Sequence, residues 1–188
     1  MKFQPTLKTS RLRLRPFLAT DAEALCELAG AREVADSTAG FPHPYSPAAA
    51  RAWIAGLPHF YQTDGAANFA VALQGVDELI GGAVLRDIDR ENRRGELSFW
   101  LGVPWWGNGY ATEAAWEVLH FGFSEFSLNR VDARHLVRNP APRKVLEKLG
   151  MSREGVLRQA IRKWNSFEDV MIHSLLRSDV AAARETGE

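Results

Sequence analysis

Cysteine is almost missing from this chain: Cys26 stands alone among 188 residues. A single thiol closes no intramolecular bridge, so the fold must be held by its core and not by disulfides. Long apolar runs are missing as well. None approaches the roughly 20 residues that span a bilayer, and the opening MKFQPTLKTSRLRLRP has no apolar stretch of the kind that marks a secretory signal. Together these absences predict a cytoplasmic protein that does not enter a membrane. Net charge is missing too, because 23 basic residues balance 23 acidic ones. That balance removes any general attraction to nucleic acid or anionic lipid, and an anionic ligand has to be held by local groups. No repeat period is present. The histidines His43, His59, His120, His135 and His173 show no metal-ligand spacing, so no metal is expected.

What is present is a hydrophobic fraction of 46%, enough for one globular domain over residues 1–188 that buries roughly 70% of its unfolded surface. Arg11, Arg13 and Arg15 alternate with Leu12 and Leu14, the period of a strand with one buried face, and the three arginines read as its solvated side. Thr20 followed by Asp21 and Glu23 opens a helix that ends near Gly30. Cys26 sits beside Leu25 and Leu28 without a cationic neighbour, as core filler and not as a nucleophile. Ser46 before Pro47 caps a second helix through Trp53 and Leu57. Residues 68–73 and 79–87 read as a hairpin, and 96–103 as a fourth strand. A helix over 111–123, a strand over 130–137, a helix over 140–149 and strands over 155–161 and 167–176 complete the chain. The pattern predicts a mixed α/β (α+β) sheet with helices on both faces.

The stretch 96–114 runs strand, glycine turn, helix. Gly107 and Gly109 allow tight backbone conformations, and the free N–H groups of the following helix point out of its positive end, which makes an anion site of pyrophosphate size. Such turns also serve only to start helices. A P-loop needs Gly-Lys-Ser or Gly-Lys-Thr, but Tyr110 and Ala111 follow Gly109. A dinucleotide fold wants a third glycine where Thr112 stands and an acid at a strand's carboxyl end, whereas Asp132 lies near the start of its strand.

Several ordered motifs together resemble the GNAT acyltransferase superfamily, in its RimJ/RimL branch. They are Thr9-Ser-Arg-Leu-Arg-Leu-Arg-Pro, Pro44-Tyr-Ser with Trp53, Gly107-Asn-Gly-Tyr-Ala-Thr-Glu-Ala, Asn129-Arg-Val-Asp-Ala-Arg, Val145-Leu-Glu-Lys-Leu-Gly-Met and Asp169-Val-Met-Ile-His-Ser-Leu-Leu, and the likeness runs from about Leu7 to Ser178. The resemblance implies a mostly antiparallel sheet splayed between its fourth and fifth strands, with acyl-CoA in the gap. It implies acetyl-CoA as co-substrate and direct transfer to a primary amine, either a protein N-terminus or a small molecule. It places donor contacts on Leu101, Gly102, Val103, Trp106, Gly107, Asn108, Gly109, Tyr110, Ala111, Thr112 and Asn139. Backbone N–H groups around Leu101 to Val103 would polarise the thioester, and Asn139 would bind the pantetheine arm. His43 and Tyr45, in the proline-rich loop, are candidate acceptor contacts together with Trp100; the competing reading of the two loop residues is plain loop surface.

Glu96 resembles the general base of this family; the competing reading is an ion-paired strand-edge residue near Arg93 and Arg94. Glu113 reads as an acid that complements the helix dipole. Trp106 replaces the family's arginine or glutamine at the start of the turn, and Pro142 and Leu146 stand where a serine or tyrosine would protonate the leaving thiolate. These departures leave a rival reading, an acyl-CoA-binding or sensing module without turnover. The acceptor and the oligomeric state are open at this level.

Overall fold

The structure, a computed structural model, describes residues 3–63 and 65–180. Met1, Lys2, Asp64 and residues 181–188, which the 1–188 domain assignment includes, lie outside the described residues. The described chain forms one eight-stranded sheet. In chain order its strands are β1 (Leu7–Lys8), β2 (Leu12–Pro16), β3 (Ala66–Leu73), β4 (Leu79–Asp89), β5 (Arg94–Leu101), β6 (Arg130–Leu136), β7 (Ser152–Lys163) and β8 (Ser166–Leu176). They lie in the order β1-β2-β3-β4-β5-β6-β8-β7. Every neighbouring pair is antiparallel except β5 and β6. Those two are joined through a helix, the connection that a parallel pair requires. The short β1 precedes the expected first strand, so the expected fourth and fifth strands are β5 and β6.

Helices cover both faces. Helices α1 (Ala22–Gly30), α2 (Arg32–Ser37) and α3 (Pro47–Gln62) lie on one side, with α4 (Tyr110–Glu125) and α5 (Ala141–Lys148) on the other. Strand β3 is buried almost throughout because each side chain meets a helix layer: Phe69 and Val71 join the core under α4, and Ala70 joins the core under α1 and α3. Among the described residues no helix is long and apolar enough to cross a membrane.

Three local expectations need correction. Arg15 is not on a solvated face but buried, with Nη1 2.7 Å from Asp21 Oδ2 and Nε 3.1 Å from Asp77 Oδ1. The helix start is organised by Asp21, not Thr20, because Asp21 Oδ2 accepts from the Leu18 N–H at 2.7 Å, ahead of a single 3-10 turn over Ala19–Asp21. Helix α2 is short and has no strong apolar period, which is why the sequence does not announce it. Ser46 does cap α3, accepting from the Ala49 N–H.

The feature that positions the site is the parting of β5 from β6. The two strands pair only from Arg94 to Leu97 against Arg130 to Ala133. Beyond that point β6 stays with β8 as far as Leu136, and β5 stays with β4 as far as Leu101. A wedge-shaped gap opens between them at the ends that lead to α4 and α5.

Candidate active site

One side of the gap is closed by the turn before α4. Gly107 and Gly109 both take φ of +79°, a left-handed conformation that costs glycine nothing and strains other residues. The first hydrogen bond of α4 runs from the Glu113 N–H to the Gly109 carbonyl at 3.1 Å. The N–H groups of Tyr110, Ala111 and Thr112 therefore have no acceptor within the helix. Asn108 spends its side chain on the turn itself, donating to the Trp105 and Trp106 carbonyls at 3.3 and 3.1 Å. Trp106 donates its indole N–H to the Leu101 carbonyl at 2.8 Å, tying the turn to the end of β5.

Between this turn, β5 and α5 lies a cleft of about 430 Å³. Of the expected donor-site residues, Leu101, Trp106, Gly107, Gly109, Ala111, Thr112 and Asn139 line it, together with Trp100. Gly102, Val103, Asn108 and Tyr110 do not. Lys144 and Lys148, one turn apart on α5, also line the cleft. Sequence reasoning missed them because paired lysines opposite a buried leucine read as a solvated helix face. Both are exposed, and they bring positive charge to the cleft, where Trp106 brings none.

On the other side of the sheet lies a cavity of about 720 Å³, lined by Tyr45, Trp53, Phe60 and Trp100 and by Arg86, Glu96, Ser98 and Arg134. The cleft and the cavity share Ser37, Thr38, Phe99, Trp100 and Pro142. They meet where β5 and β6 part. Trp100 is the partition: its ring stands edge-on to Phe41 at 5.1 Å, and its indole lies over Gly82, where a Cβ would come within 2.5 Å of Nε1. The glycine pair Gly81-Gly82 is thus a steric requirement of this site, one that the sequence reading passed over.

The backbone of β5 faces the gap in a definite way. The Gly102 N–H donates to the Ile80 carbonyl at 2.9 Å, continuing the ladder with β4. Antiparallel ladders alternate, so the amides of Leu101 and Phe99 point away from β4, toward the gap. This corrects the expectation at Gly102, whose amide is already used.

Glu96 is buried and directly opposite Arg86 in the β4–β5 register. Its Oε1 accepts from Arg86 Nε at 3.1 Å and from Arg86 Nη2, while Oε2 lies 3.0 Å from Arg134 Nε. The neighbours suggested by sequence are engaged elsewhere: Arg93 donates to the Ser127 carbonyl, and Arg94 lies 3.5 Å from Asp89. Glu96 is therefore ion-paired, as the competing reading held, but by residues from adjacent strands, and it still lines the cavity. Asn139 donates to the Ser37 carbonyl at 3.3 Å and accepts from the Ala141 N–H at 3.2 Å, so it shapes the turn into α5 while lining the cleft. Pro142 lines both spaces, and Leu146 is buried.

The connection from α2 to α3 closes over the cavity and is latched by the β7–β8 hairpin. Lys163 Nζ donates to the Phe41 carbonyl at 3.2 Å, and Trp164 Nε1 donates to Asp36 at 2.8 Å. Burial pushes the Lys163 ammonium below its ordinary pKa. His43 does not line the cavity; its Nδ1 is 2.7 Å from the Gly30 carbonyl and its ring lies 6.5 Å from Trp164. His135 lines the cavity and stacks 5.4 Å from the buried His173, whose pKa is pushed down by burial and by His135. Burial also raises the Cys26 thiol, against the opposing charge of Arg51, a cationic neighbour that the sequence did not show; the shift lowers its thiolate fraction. Among the described residues no group of three or more His, Cys, Asp or Glu gathers as a metal site.

A model of the acetyltransferase (GNAT) domain family matches residues 11–152. The N-acetyltransferase p20 of Bacillus licheniformis is 32% identical over 177 residues, covering 94% of this chain and 98% of that protein. The crystal structure of a GNAT-family acetyltransferase from Bacillus anthracis superposes with a TM-score of 0.80 at 28% identity, covering 93% of this chain and 99% of the other. RimL, a ribosomal L7/L12 alpha-N-protein acetyltransferase solved with coenzyme A, shares the fold with a TM-score of 0.81 at 18% identity, covering 92% and 98%.

Proposed function

The chain belongs to the GNAT acetyltransferase family, and from that premise we propose that it transfers an acetyl group from acetyl-CoA directly to a primary amine in a ternary complex. The observation that carries this reading is the meeting of two separate spaces at the parted strands. The cleft is bordered by helix amides that have no acceptor within the helix and suit a pyrophosphate, and the cavity is lined by a carboxylate suited to an amine. A thioester and an amine entering from opposite sides would meet at Phe99 and Trp100.

In this reading the amides of Gly109 to Thr112 hold the donor's pyrophosphate, and Lys144 and Lys148 add charge beside it. Asn139 keeps one amide hydrogen and one lone pair beyond its two structural bonds, and these serve the pantetheine arm. The Leu101 and Phe99 amides polarise the thioester carbonyl and hold the negative charge that develops on its oxygen. The acceptor arrives as an ammonium and must lose a proton before it attacks. Glu96 Oε2, which pairs with Arg134 Nε at 3.0 Å, retains a lone pair for that proton, directly or through water. The leaving thiol has an ordinary acidity near that of cysteine, about 8.5. It departs as thiolate with little acid help, which makes the absence of a hydroxyl at Pro142 and Leu146 tolerable.

For the acceptor we propose an N-terminal amine of a protein, the class named for RimL, or a small-molecule amine with an apolar body that fits the aromatic walls of the cavity. The test is release of free CoA thiol from acetyl-CoA with four probes: a peptide with a free N-terminal serine, spermidine, phenylalanine and kanamycin. At least one should accelerate release well above hydrolysis. If acetyl-CoA binds but no amine accelerates release, the protein is a binding or sensing module.

A further inference from the structure

We infer that Arg11 is a positioning residue for the glycine turn: it fixes the peptide group between Asn108 and Gly109 and neutralises Glu113 at the helix end where the donor's phosphates have to sit. The inference rests on the donor site proposed above and adds residues from the far end of the chain to it. Arg11 Nη1 donates to the Asn108 carbonyl at 3.0 Å. A trans peptide group is planar, with its C=O and N–H on opposite sides. Holding the Asn108 oxygen toward Arg11 therefore directs the Gly109 N–H away from it, and Gly109 lines the cleft. Left-handed glycines on both sides of Asn108 leave this peptide free to flip unless something restrains it.

Glu113 explains why an arginine does this. Its carboxylate lies in the first turn of α4, the same positive helix end that a pyrophosphate would use. A bare carboxylate there would repel the phosphates. Instead it is turned to the back of the turn, where it accepts from the Thr9 and Ser10 hydroxyls, from the Arg11 N–H at 3.0 Å and from Arg11 Nε at 2.7 Å, with Nη2 at 2.6 Å. The Arg11 guanidinium also lies 4.6 Å from the centre of the Tyr110 ring. One side chain thus ties β2's leading residues, the turn and the first turn of α4 together from outside the cleft.

The test compares two ligands that share the acetylated arm and differ in the phosphates. Dissociation constants for acetyl-CoA and for S-acetylpantetheine, which lacks the pyrophosphate and nucleotide, are measured by calorimetric titration on the wild type and on Arg11→Gln. The variant should bind acetyl-CoA about 10-fold more weakly, the size of one lost hydrogen bond with its charge, and bind S-acetylpantetheine within about twofold of the wild type. Arg11→Lys, which keeps the charge but cannot bridge Asn108 and Glu113 as a fork, should fall between them, and it carries the test if Arg11→Gln fails to fold. Equal weakening for both ligands would mean that Arg11 only supports the fold. Unchanged binding of both would mean that the turn needs no restraint. If the wild type binds the two ligands equally, the turn is not a pyrophosphate site and the donor assignment itself fails.

Discussion

At the scale of single residues, Glu96 is the centre of the proposed chemistry. Its position opposite Arg86 and beside Arg134 makes it a counter-ion that holds three strands together, and the proposed mechanism adds a second role, proton acceptor for the amine. Glu96→Gln separates them. The amide keeps the shape and loses the charge, so turnover should fall about 10²-fold or more while acetyl-CoA affinity changes little. A melting curve of the variant establishes that it is folded, since the change removes the counter-ion of two half-exposed arginines, Arg86 and Arg134. Unchanged turnover at neutral pH in a folded variant would leave Glu96 with the counter-ion role alone. The sequence pointed to Glu96 as both candidate base and ion-paired residue, but it could not name Arg86 and Arg134, because strand register, not sequence distance, brings them together. Asn139 shows the same limit in reverse: the family likeness and the common Asn-Pro turn are both visible in the sequence, and the structure has the side chain shaping a turn on the wall of the cleft.

At the scale of elements, ion pairs tie strands and loops to one another in a way that pH should reveal. Arg130 on β6 and Glu154 on β7 make a two-pronged pair at 2.7 and 2.6 Å across β8, and Ser174 adds a third bond. Arg130, with Ser174, holds the Glu154 carboxyl down to about 2 from its ordinary 4.5. Arg138 holds Asp36 down, and Thr9 and Arg11 hold Glu113 down against the opposing effect of burial. Each carboxylate binds its proton more weakly folded than unfolded. Their stabilisation is complete above the ordinary carboxylate range and is lost as pH falls from about 4.5. His173, lowered by burial, adds a loss that starts below about 6.5. Urea midpoints should therefore decline in two stages on acidification. Replacing His173 with Leu should remove the upper stage, and a single decline below pH 5 in the wild type would contradict the buried-histidine contribution. Element identity was legible where period and caps agreed, as at β2, α3 and α4. Helix α2 was not, because six residues carry too little pattern, yet it supplies Ser37 and lies beside Thr38 at the junction of the two spaces.

At the scale of the whole molecule, the order of strands and helices and their placement on both faces followed from the apolar periods, and the parted pair of strands followed from the family likeness. The cavity behind Trp100 did not, because it is made by side chains from α2, α3, β4, β5 and β6 that no local pattern relates. Arg15 is buried for a similar reason: its partners Asp21 and Asp77 come from separate segments, which the alternation with Leu12 and Leu14 does not show. In the proposed function this assembled gap receives acetyl-CoA with its pyrophosphate on the turn from Gly107 to Ala111. A ligand that binds only the folded state stabilises it by about 2.7 kcal/mol at a hundredfold excess over its dissociation constant. At this size each kcal/mol moves the melting temperature by roughly 2 to 4 °C, so saturating acetyl-CoA should raise it by about 5 to 11 °C, well beyond NAD or ATP. Gly109→Val, a β-branched residue placed at a φ of +79° with its Cβ 3.5 Å from Arg11 Nη2, should fold by its own melting curve and lose most of that rise. A wild-type midpoint unmoved by millimolar acetyl-CoA, and raised instead by NAD or ATP, would contradict the account.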